Sequence, residues 1–322
     1  MEVTRYSGQR QEDLSPLFAG YTYGRYCSDW SLDAQSSRRL KRDRLFVYLQ
    51  QNEASCWVAT EKGRILGVLG LQESAWDTAF WGIKCAAIDH LYACGSREVS
   101  KDSVVKALVG AADRWCRGEQ IAFVLARADI FDLAAIHTLE DYGFRYIETA
   151  VTNTYDLRRI EARPSTGYHM RAAQPDEADA LASMVRGAFL THRFYADKRF
   201  PVKKADAMYQ EWVRSSLESS VWTTIVLEAG SKVRGFLIYC LEDLTAYFGL
   251  RFVKWRLAAL AQADRGKGYG IQLFQGAMQF TRDQAEIVDS GLTIRNTQSF
   301  NLHNRLGFKL LCSSAVFHKW YS

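Results

Sequence analysis

The segment from Arg265 to Gly270, RGKGYG, has the residue types and spacing of an anion-binding loop. It follows an apolar run from Trp255 to Ala261 that predicts a buried strand. It precedes an apolar-periodic run from Ile271 to Phe280 that predicts a helix. Glycine lets a backbone approach a ligand closely, and a helix N-terminus offers unpaired N–H groups to an anion. Together with the charges of Arg265 and Lys267, the pattern predicts a pyrophosphate-binding loop.

Two common phosphate loops do not fit this segment. No Gly-Lys-Ser/Thr triplet follows the glycines, as a P-loop requires. Position 271 is isoleucine where a dinucleotide fingerprint would have its third glycine.

A second motif follows at a fixed distance. After the predicted strand from Ile287 to Ile294 comes Asn296, and Gly307-Phe308 stands eleven residues further on. The two motifs together resemble the GCN5-related N-acetyltransferases. That family has Arg-x-x-Gly-x-Gly, and later an Asn, a short helix and Gly-Phe. The position at which that family usually has tyrosine holds His303.

The resemblance implies that acyl-CoA lies along the strand before the loop, and that a backbone N–H at Leu260 or Ala261 stabilises charge on the thioester oxygen. The implied acyl-CoA-binding residues are Leu260, Ala261, Gln262, Arg265, Gly266, Lys267, Gly268, Tyr269, Gly270 and Asn296. His303 would donate the proton that the departing thiolate needs, since imidazole is a good acid near neutral pH. Alternatively, His303 is a packing residue and a water acts instead.

Other roles stay open at the level of the sequence. The proton of the amine could pass to water, to Glu242 or to Asp243. Arg193 and Arg199 are candidates to bind an acceptor phosphate, or are surface charges. No metal is expected.

Composition excludes several classes of protein. The net charge of +5 over 322 residues, with both signs interspersed, is too small to indicate a nucleic-acid partner. Seven cysteines without CxxC spacing argue against a disulfide framework or a zinc site. The N-terminus lacks the apolar segment of a signal peptide, and no apolar run reaches membrane-spanning length. We therefore expect a cytoplasmic protein without a membrane partner; a homodimer is possible, and the sequence leaves the oligomeric state open.

An internal repeat predicts two copies of one fold. The segment from Asp132 to Gly143-Phe144 repeats the length of the later motif, and we expect Glu140 at the place that His303 holds. The loop from Tyr92 to Ser100 has one glycine, so the first copy would be degenerate. We expect an α/β fold (α+β, with a mixed sheet) in two tandem acetyltransferase-like domains, residues 1–162 and 163–322. The strands 151–157 and 315–320 would end the first and second domains.

Three shorter segments are similar to two-domain sugar-nucleotide acetyltransferases. They are Trp76 to Gly82, Leu139 to Phe144, and the stretch from Ala188-Phe189 to Trp212. This resemblance implies transfer of an acetyl group from acetyl-CoA to the amine of a nucleotide-linked amino sugar. An acetyltransferase for another small-molecule or protein amine, or a non-catalytic acyl-CoA sensor, remains as an alternative.

Overall fold

A computed structural model describes residues 1–8, 11–19, 21, 23–24, 26, 32–52, 55–161 and 167–321. The chain forms two compact units, Met1–Thr149 with Cys312–Ser322, and Ala150–Leu311. The domain boundary predicted between residues 162 and 163 lies outside the described residues. None of the described helices is both long and apolar enough to span a lipid bilayer.

The first unit carries a sheet with helices on its faces. Its elements are β1 (Glu2–Arg5), α1 (Ser15–Ala19), α2 (Ala34–Gln51), β2 (Cys56–Glu61), β3 (Arg64–Glu73), α3 (Ala75–Trp81), β4 (Cys85–Ala93), α4 (Lys101–Gly118), β5 (Phe123–Asp129) and α5 (Leu133–Asp141). Strands β1 to β4 pair antiparallel in chain order, and β4 pairs parallel with β5. The apolar faces of α4 and α5 close one core against this sheet.

The second unit repeats the plan. Its helices and strands are β7 (His169–Ala172), α6 (Ala178–Met184), α7 (Arg193–Ala196), α8 (Val202–Glu218), β8 (Thr223–Ala229), β9 (Lys232–Leu244), α9 (Thr245–Phe248), β10 (Leu250–Leu260), α10 (Tyr269–Thr281), β11 (Ile287–Thr293) and α11 (Thr297–Arg305). Strands β7 to β10 pair antiparallel, and β10 pairs parallel with β11. The strands of each unit therefore pair in both parallel and antiparallel fashion, which confirms the predicted fold class.

The amphipathic character of α10 is also confirmed. Leu273, Phe274 and Ala277 are buried together with Trp255 and Val253 of β10 in the core of the second unit. This apolar face fixes the helix against the sheet and so holds its first turn in place.

The prediction that strands 151–157 and 315–320 end the first and second domains is wrong. Two long strands, β6 (Arg145–Asp156) and β12 (Lys309–Trp320), cross the bounds of the units. Residues 150–156 pair with β11 in the second unit, and residues 314–320 pair with β5 in the first. Each copy thus receives its outer strand from the other copy's sequence. Each pairing supplies hydrogen-bond partners to the free edge of β5 or β11. Which of the two edges a strand joins depends on contacts far apart in the chain, so a local sequence pattern does not predict it.

Candidate active site

A cleft opens between β10 and β11. Their parallel pairing runs from Phe252 opposite Ile287 to Trp255 opposite Ser290. The pairing of β10 with β9 continues to Leu260, with a bulge between Trp255 and Leu257. A bulge bends a strand and increases its local twist. Beyond Trp255 the edge of β10 therefore faces an opening rather than β11.

Only one of the two predicted N–H donors faces this opening. The N–H of Ala261 donates to the carbonyl of Arg234 at 2.8 Å, toward β9. Since N–H groups alternate in direction along a strand, that of Leu260 points to the other side. The structure thus leaves Leu260 as the candidate donor to a thioester oxygen and assigns Ala261 to the sheet. Gln262 begins a 3₁₀ helix, Gln262–Asp264, that carries the chain into the glycine loop.

The glycine loop has the backbone that the sequence predicts. Gly266 and Gly268 have φ of 79° and 88°, in the left-handed region that glycine adopts most readily. A Cβ at either position would meet nothing within 4 Å, so conformation rather than space favours glycine here. Gly268 is the N-cap of α10, and among the described residues no side chain caps this helix. Of the first N–H groups of the helix, that of Ile271 donates to the carbonyl of Gly268 at 3.2 Å, and those of Gly268, Tyr269 and Gly270 are the ones suited to an anion.

The basic residues of the loop have separate tasks. Arg265 donates to the carbonyls of Met184 at 3.0 Å and Leu260 at 3.4 Å, so it braces the loop against the end of α6. The side chain of Lys267 is 62% exposed, and its ammonium lies 4.0 Å from Oδ1 of Asp264 in a long ion pair, so it stays accessible to an anion from solvent.

The loop is anchored from beneath. Asp264 is buried and binds Arg234, with 3.1 Å between Nη1 and Oδ1. The guanidinium of Arg234 lies 5.2 Å from the ring centre of Tyr269. Gly270 packs so closely that a Cβ would be 3.4 Å from Leu302 of α11. Tyr269 and Gly270 therefore join the loop to the core rather than extending toward solvent.

Asn296 is the N-cap of α11. Its Oδ1 accepts from the N–H of Ser299 at 3.1 Å. The cap uses the oxygen, so the Nδ2 group is the part of the side chain suited to a carbonyl of the pantetheine arm. The predicted role of Asn296 is compatible with this geometry.

His303 lies in the core, 1% exposed, on α11. Its Nδ1 is 2.7 Å from the carbonyl oxygen of Ser299, and its Nε2 is 2.9 Å from Oγ of Ser290. Burial lowers the pKa of His303, and the bond to the Ser299 carbonyl opposes that shift. The resting imidazole is therefore neutral, with its proton on Nδ1. In that state it has no proton at Nε2 to give a thiolate directly.

The other candidate residues are less closely tied to the cleft. Glu242 forms an ion pair with the buried Lys254 of β10. Asp243 accepts from the N–H and hydroxyl of Thr245, and the hydroxyl bond lowers its pKa, so it is a turn residue and a weak base.

Arg193 and Arg199 lie near the start of α8. The guanidinium of Arg193 lies 4.5 Å from the ring centre of Phe194. Arg199 is exposed, and its backbone N–H donates to Asp197. Their binding of an acceptor phosphate stays a prediction.

The first unit has a similar cleft, but its helix start differs. Parallel pairing of β4 and β5 ends at Ile88 opposite Ala126, next to a register shift between β3 and β4. The N-terminus of α4 is capped by the hydroxyl of Ser100, which accepts from the N–H of Ser103 at 3.2 Å. Asp102 adds a negative charge in the first turn. Both features oppose binding of a phosphate at this end.

The chain itself occupies part of this first cleft. The N–H of Gly24 donates to Asp129 at 2.6 Å, and the ammonium of Lys101 lies 4.3 Å from the ring centre of Tyr23. Tyr21 and Tyr23 line a remaining cavity of about 230 Å³ together with residues of β4 and β5.

The match of Glu140 to His303 is wrong. Leu139, not Glu140, stands four residues before Gly143, as His303 does before Gly307. The structure agrees, because Phe144 donates to the carbonyl of Leu139 and Phe308 to that of His303. Leu139 is fully buried and has no group for proton transfer. Within the described residues, no cluster of His, Cys, Asp and Glu could hold a metal ion.

Comparison with known proteins shows relatives in sequence and in structure. No protein-family model matches the chain. The spore coat polysaccharide biosynthesis protein SpsD of Bacillus subtilis is 21% identical over 81% of this chain and 86% of its own length.

Two solved structures share the fold. One is a tandem GNAT protein from the clavulanic acid biosynthesis pathway, with a TM-score of 0.53, 14% identity, and 82% of each chain covered. The other is a GCN5-related glucosamine N-acetyltransferase region of a fungal multi-domain GH3 β-N-acetylglucosaminidase. It has a TM-score of 0.62 and 17% identity, and the match covers 99% of this chain and 38% of that one. The chain therefore has the fold of the GCN5-related N-acetyltransferases in its tandem form.

Proposed function

We propose that the chain is an acyl-CoA-dependent N-acetyltransferase whose active site is the cleft of the second unit. The observation that carries this proposal is the uncapped, glycine-led start of α10 beside the open edge of β10. Acetyl-CoA is the donor substrate, with its pyrophosphate on the first turn of α10 and on Lys267, and its pantetheine arm beside Asn296. The thioester carbonyl accepts from the N–H of Leu260.

The acceptor that we propose is the amino group of a nucleotide-linked amino sugar. The relative in spore coat polysaccharide biosynthesis and the fold neighbour that acetylates glucosamine support an amino sugar. The exposed Arg199 and the nearby Arg193 supply charge suited to a nucleotide phosphate.

The leaving-group chemistry permits a simple assay. Each transfer releases one CoA thiol, which a thiol reagent detects. Nucleotide-linked amino sugars should give turnover well above that of free glucosamine, simple amines and aminoglycosides. Turnover confined to the control amines would reject the sugar-nucleotide acceptor. Acetyl-CoA binding without thiol release from any amine would instead support a non-catalytic acyl-CoA sensor.

A further inference from the structure

Ser290 lies at the inner end of the cleft. It is in the last residue pair that joins β11 to β10, opposite Trp255, and it also pairs with Asn153 of β6. All three residues are buried, with exposed fractions of 5%, 3% and 1% for Ser290, Trp255 and Asn153. A hydroxyl at this position is the polar side-chain group of β11 nearest to where the strands separate.

The hydrogen bonds of His303 fix the direction of the Ser290 proton. A carbonyl oxygen can only accept, so the bond to Ser299 requires the hydrogen on Nδ1. Nε2 of the neutral ring then accepts, and the hydroxyl of Ser290 donates to it across 2.9 Å. The oxygen of Ser290 keeps its lone pairs for another proton.

The packing around the imidazole holds this arrangement. Aromatic rings of Phe274, Phe308 and Trp255 lie 4.9, 4.8 and 6.5 Å from its centre. These neighbours from α10, β10 and the residue after Gly307 carry no ionisable group. A positive charge on the ring would be stabilised chiefly by the carbonyl of Ser299.

We propose that Ser290 and His303 form a proton relay that takes a proton from the attacking amine and returns it to the departing thiolate. Ser290 is the catalytic residue of the pair, and His303 acts through it. This inference rests on the proposed acetyl transfer.

The steps of the relay balance. As the amine nitrogen bonds to the thioester carbon, the carbonyl electron pair moves to oxygen. The amine proton passes to Oγ of Ser290 while the Ser290 proton passes to Nε2, which gives an imidazolium. The C–S bond then breaks with its electron pair on sulfur as the carbonyl re-forms. The proton returns through Ser290 to sulfur, and the amide and CoA thiol result.

Two substitutions and one control test the relay. Ser290→Ala removes the hydroxyl, and His303→Gln keeps a hydrogen-bonding side chain that does not titrate. Thr281→Val is the matched control, because it removes a buried hydroxyl that donates to the Ala277 carbonyl at 2.8 Å, at the C-terminal end of α10. Each variant is assayed for kcat, for acetyl-CoA affinity by calorimetry, and for thermal unfolding.

Ser290→Ala and His303→Gln should each lower kcat by about a hundredfold or more, and the double variant should lose little beyond either alone. Acetyl-CoA affinity should stay within about twofold of wild type, because the relay acts only in the transition state. The acid limb of the kcat–pH profile, set by the imidazole, should disappear in His303→Gln.

Other results would overturn the relay. A Ser290→Ala enzyme with wild-type kcat would do so, as would an unchanged acid limb in His303→Gln. A purely structural role would change the unfolding temperature but not the acid limb. If wild type itself releases no thiol with any amine, the proposed acetyl transfer fails first, and the relay with it. If wild type turns over and both Ser290→Ala and His303→Gln keep its kcat, the relay is rejected and the proposed acetyl transfer stands.

Discussion

Gly268 tests whether the first turn of α10 holds the pyrophosphate. Three replacements separate the contributions of strain, capping and charge. Alanine adds strain, because φ is 88°, but no clash, because a Cβ meets nothing within 4 Å. Asparagine also adds a side chain that can cap the helix and occupy its N–H groups. Aspartate has the same shape and adds a negative charge.

The charge contribution can be worked out. Two unit charges 4 Å apart interact by about 1 kcal/mol in water and about 4 kcal/mol at an effective dielectric of 20. Gly268 is exposed, so a value near 2 kcal/mol is reasonable, which corresponds to a roughly 30-fold weaker Kd for aspartate than for asparagine. Alanine should weaken binding by only a few fold, since the N–H groups remain.

Isothermal calorimetry with acetyl-CoA measures these differences at two salt concentrations. The gap between aspartate and asparagine should shrink from 0.1 M to 1 M salt, where the Debye length falls from about 10 to about 3 Å. The order of thermal stability should be the reverse of the order of affinity. Alanine adds only strain, about 1 kcal/mol, whereas asparagine and aspartate offset part of that strain by capping the helix, so both should unfold at a higher temperature than alanine. If aspartate binds acetyl-CoA as tightly as alanine, the loop does not hold the pyrophosphate.

Three further outcomes concern other parts of the chain. Because Tyr23 and its neighbours occupy part of the first cleft, a calorimetric titration should give one acetyl-CoA per chain, and two would contradict the assignment of a single site. Leu260→Pro deletes the N–H that faces the second cleft, whereas Leu260→Ala removes only the side chain. The proline variant should have a kcat lower by a further 10²- to 10³-fold or so, and equal rates would exclude this donor. Desolvation raises the pKa of Asp113, but bonds from Lys319, Tyr321 and Arg117 outweigh it and leave the pKa below its ordinary value. The stability that ionised Asp113 contributes is thus present above about pH 4 and lost as the pH falls. Asp113→Asn should lower the free energy of unfolding by about 3 kcal/mol at neutral pH. In urea unfolding, the stability of this variant should fall less steeply than that of wild type as the pH is lowered.

Local features of the chain were predictable. The apolar period of α10 and the glycines before it each act over a few residues, so the pattern specified both the helix and the conformation of Gly266 and Gly268. The repeat of two copies was equally visible, because the distance from Asp132 to Gly143 equals that from Asn296 to Gly307.

Features that depend on contacts between distant parts of the chain were not predictable. The stretches 150–156 and 314–320 both form strands, and nothing in the residue pattern of either specifies whether β5 or β11 is its neighbour. The residues that fill the first cleft lie more than 60 residues before β4 in the chain. The single glycine between Tyr92 and Ser100 predicts the loss of the phosphate loop in that copy, but no local pattern predicts the tyrosines in its cleft.

The candidate active site shows the same difference between local and long-range features. Position 303 was identified by its distance from Gly307, but the partner at position 290 was not. A signal existed, since Asp289 and Ser290 interrupt an otherwise apolar strand, and both proved to be buried. Buried polar side chains require partners, so this interruption indicates buried hydrogen-bonded groups rather than a break in the strand.

The two helix starts differ in a way that supports our proposal of a binding site in the second copy. A side-chain cap stabilises a helix by about 1 kcal/mol relative to alanine, and α4 has such a cap from Ser100. At the corresponding end of α10, the described residues provide none, and Gly268 takes its place. Capping α10 would stabilise the protein but would occupy the N–H groups that an anion needs. A helix end without this stabilisation, beside a lysine that is 62% exposed, supports our proposal that its N–H groups bind the anion.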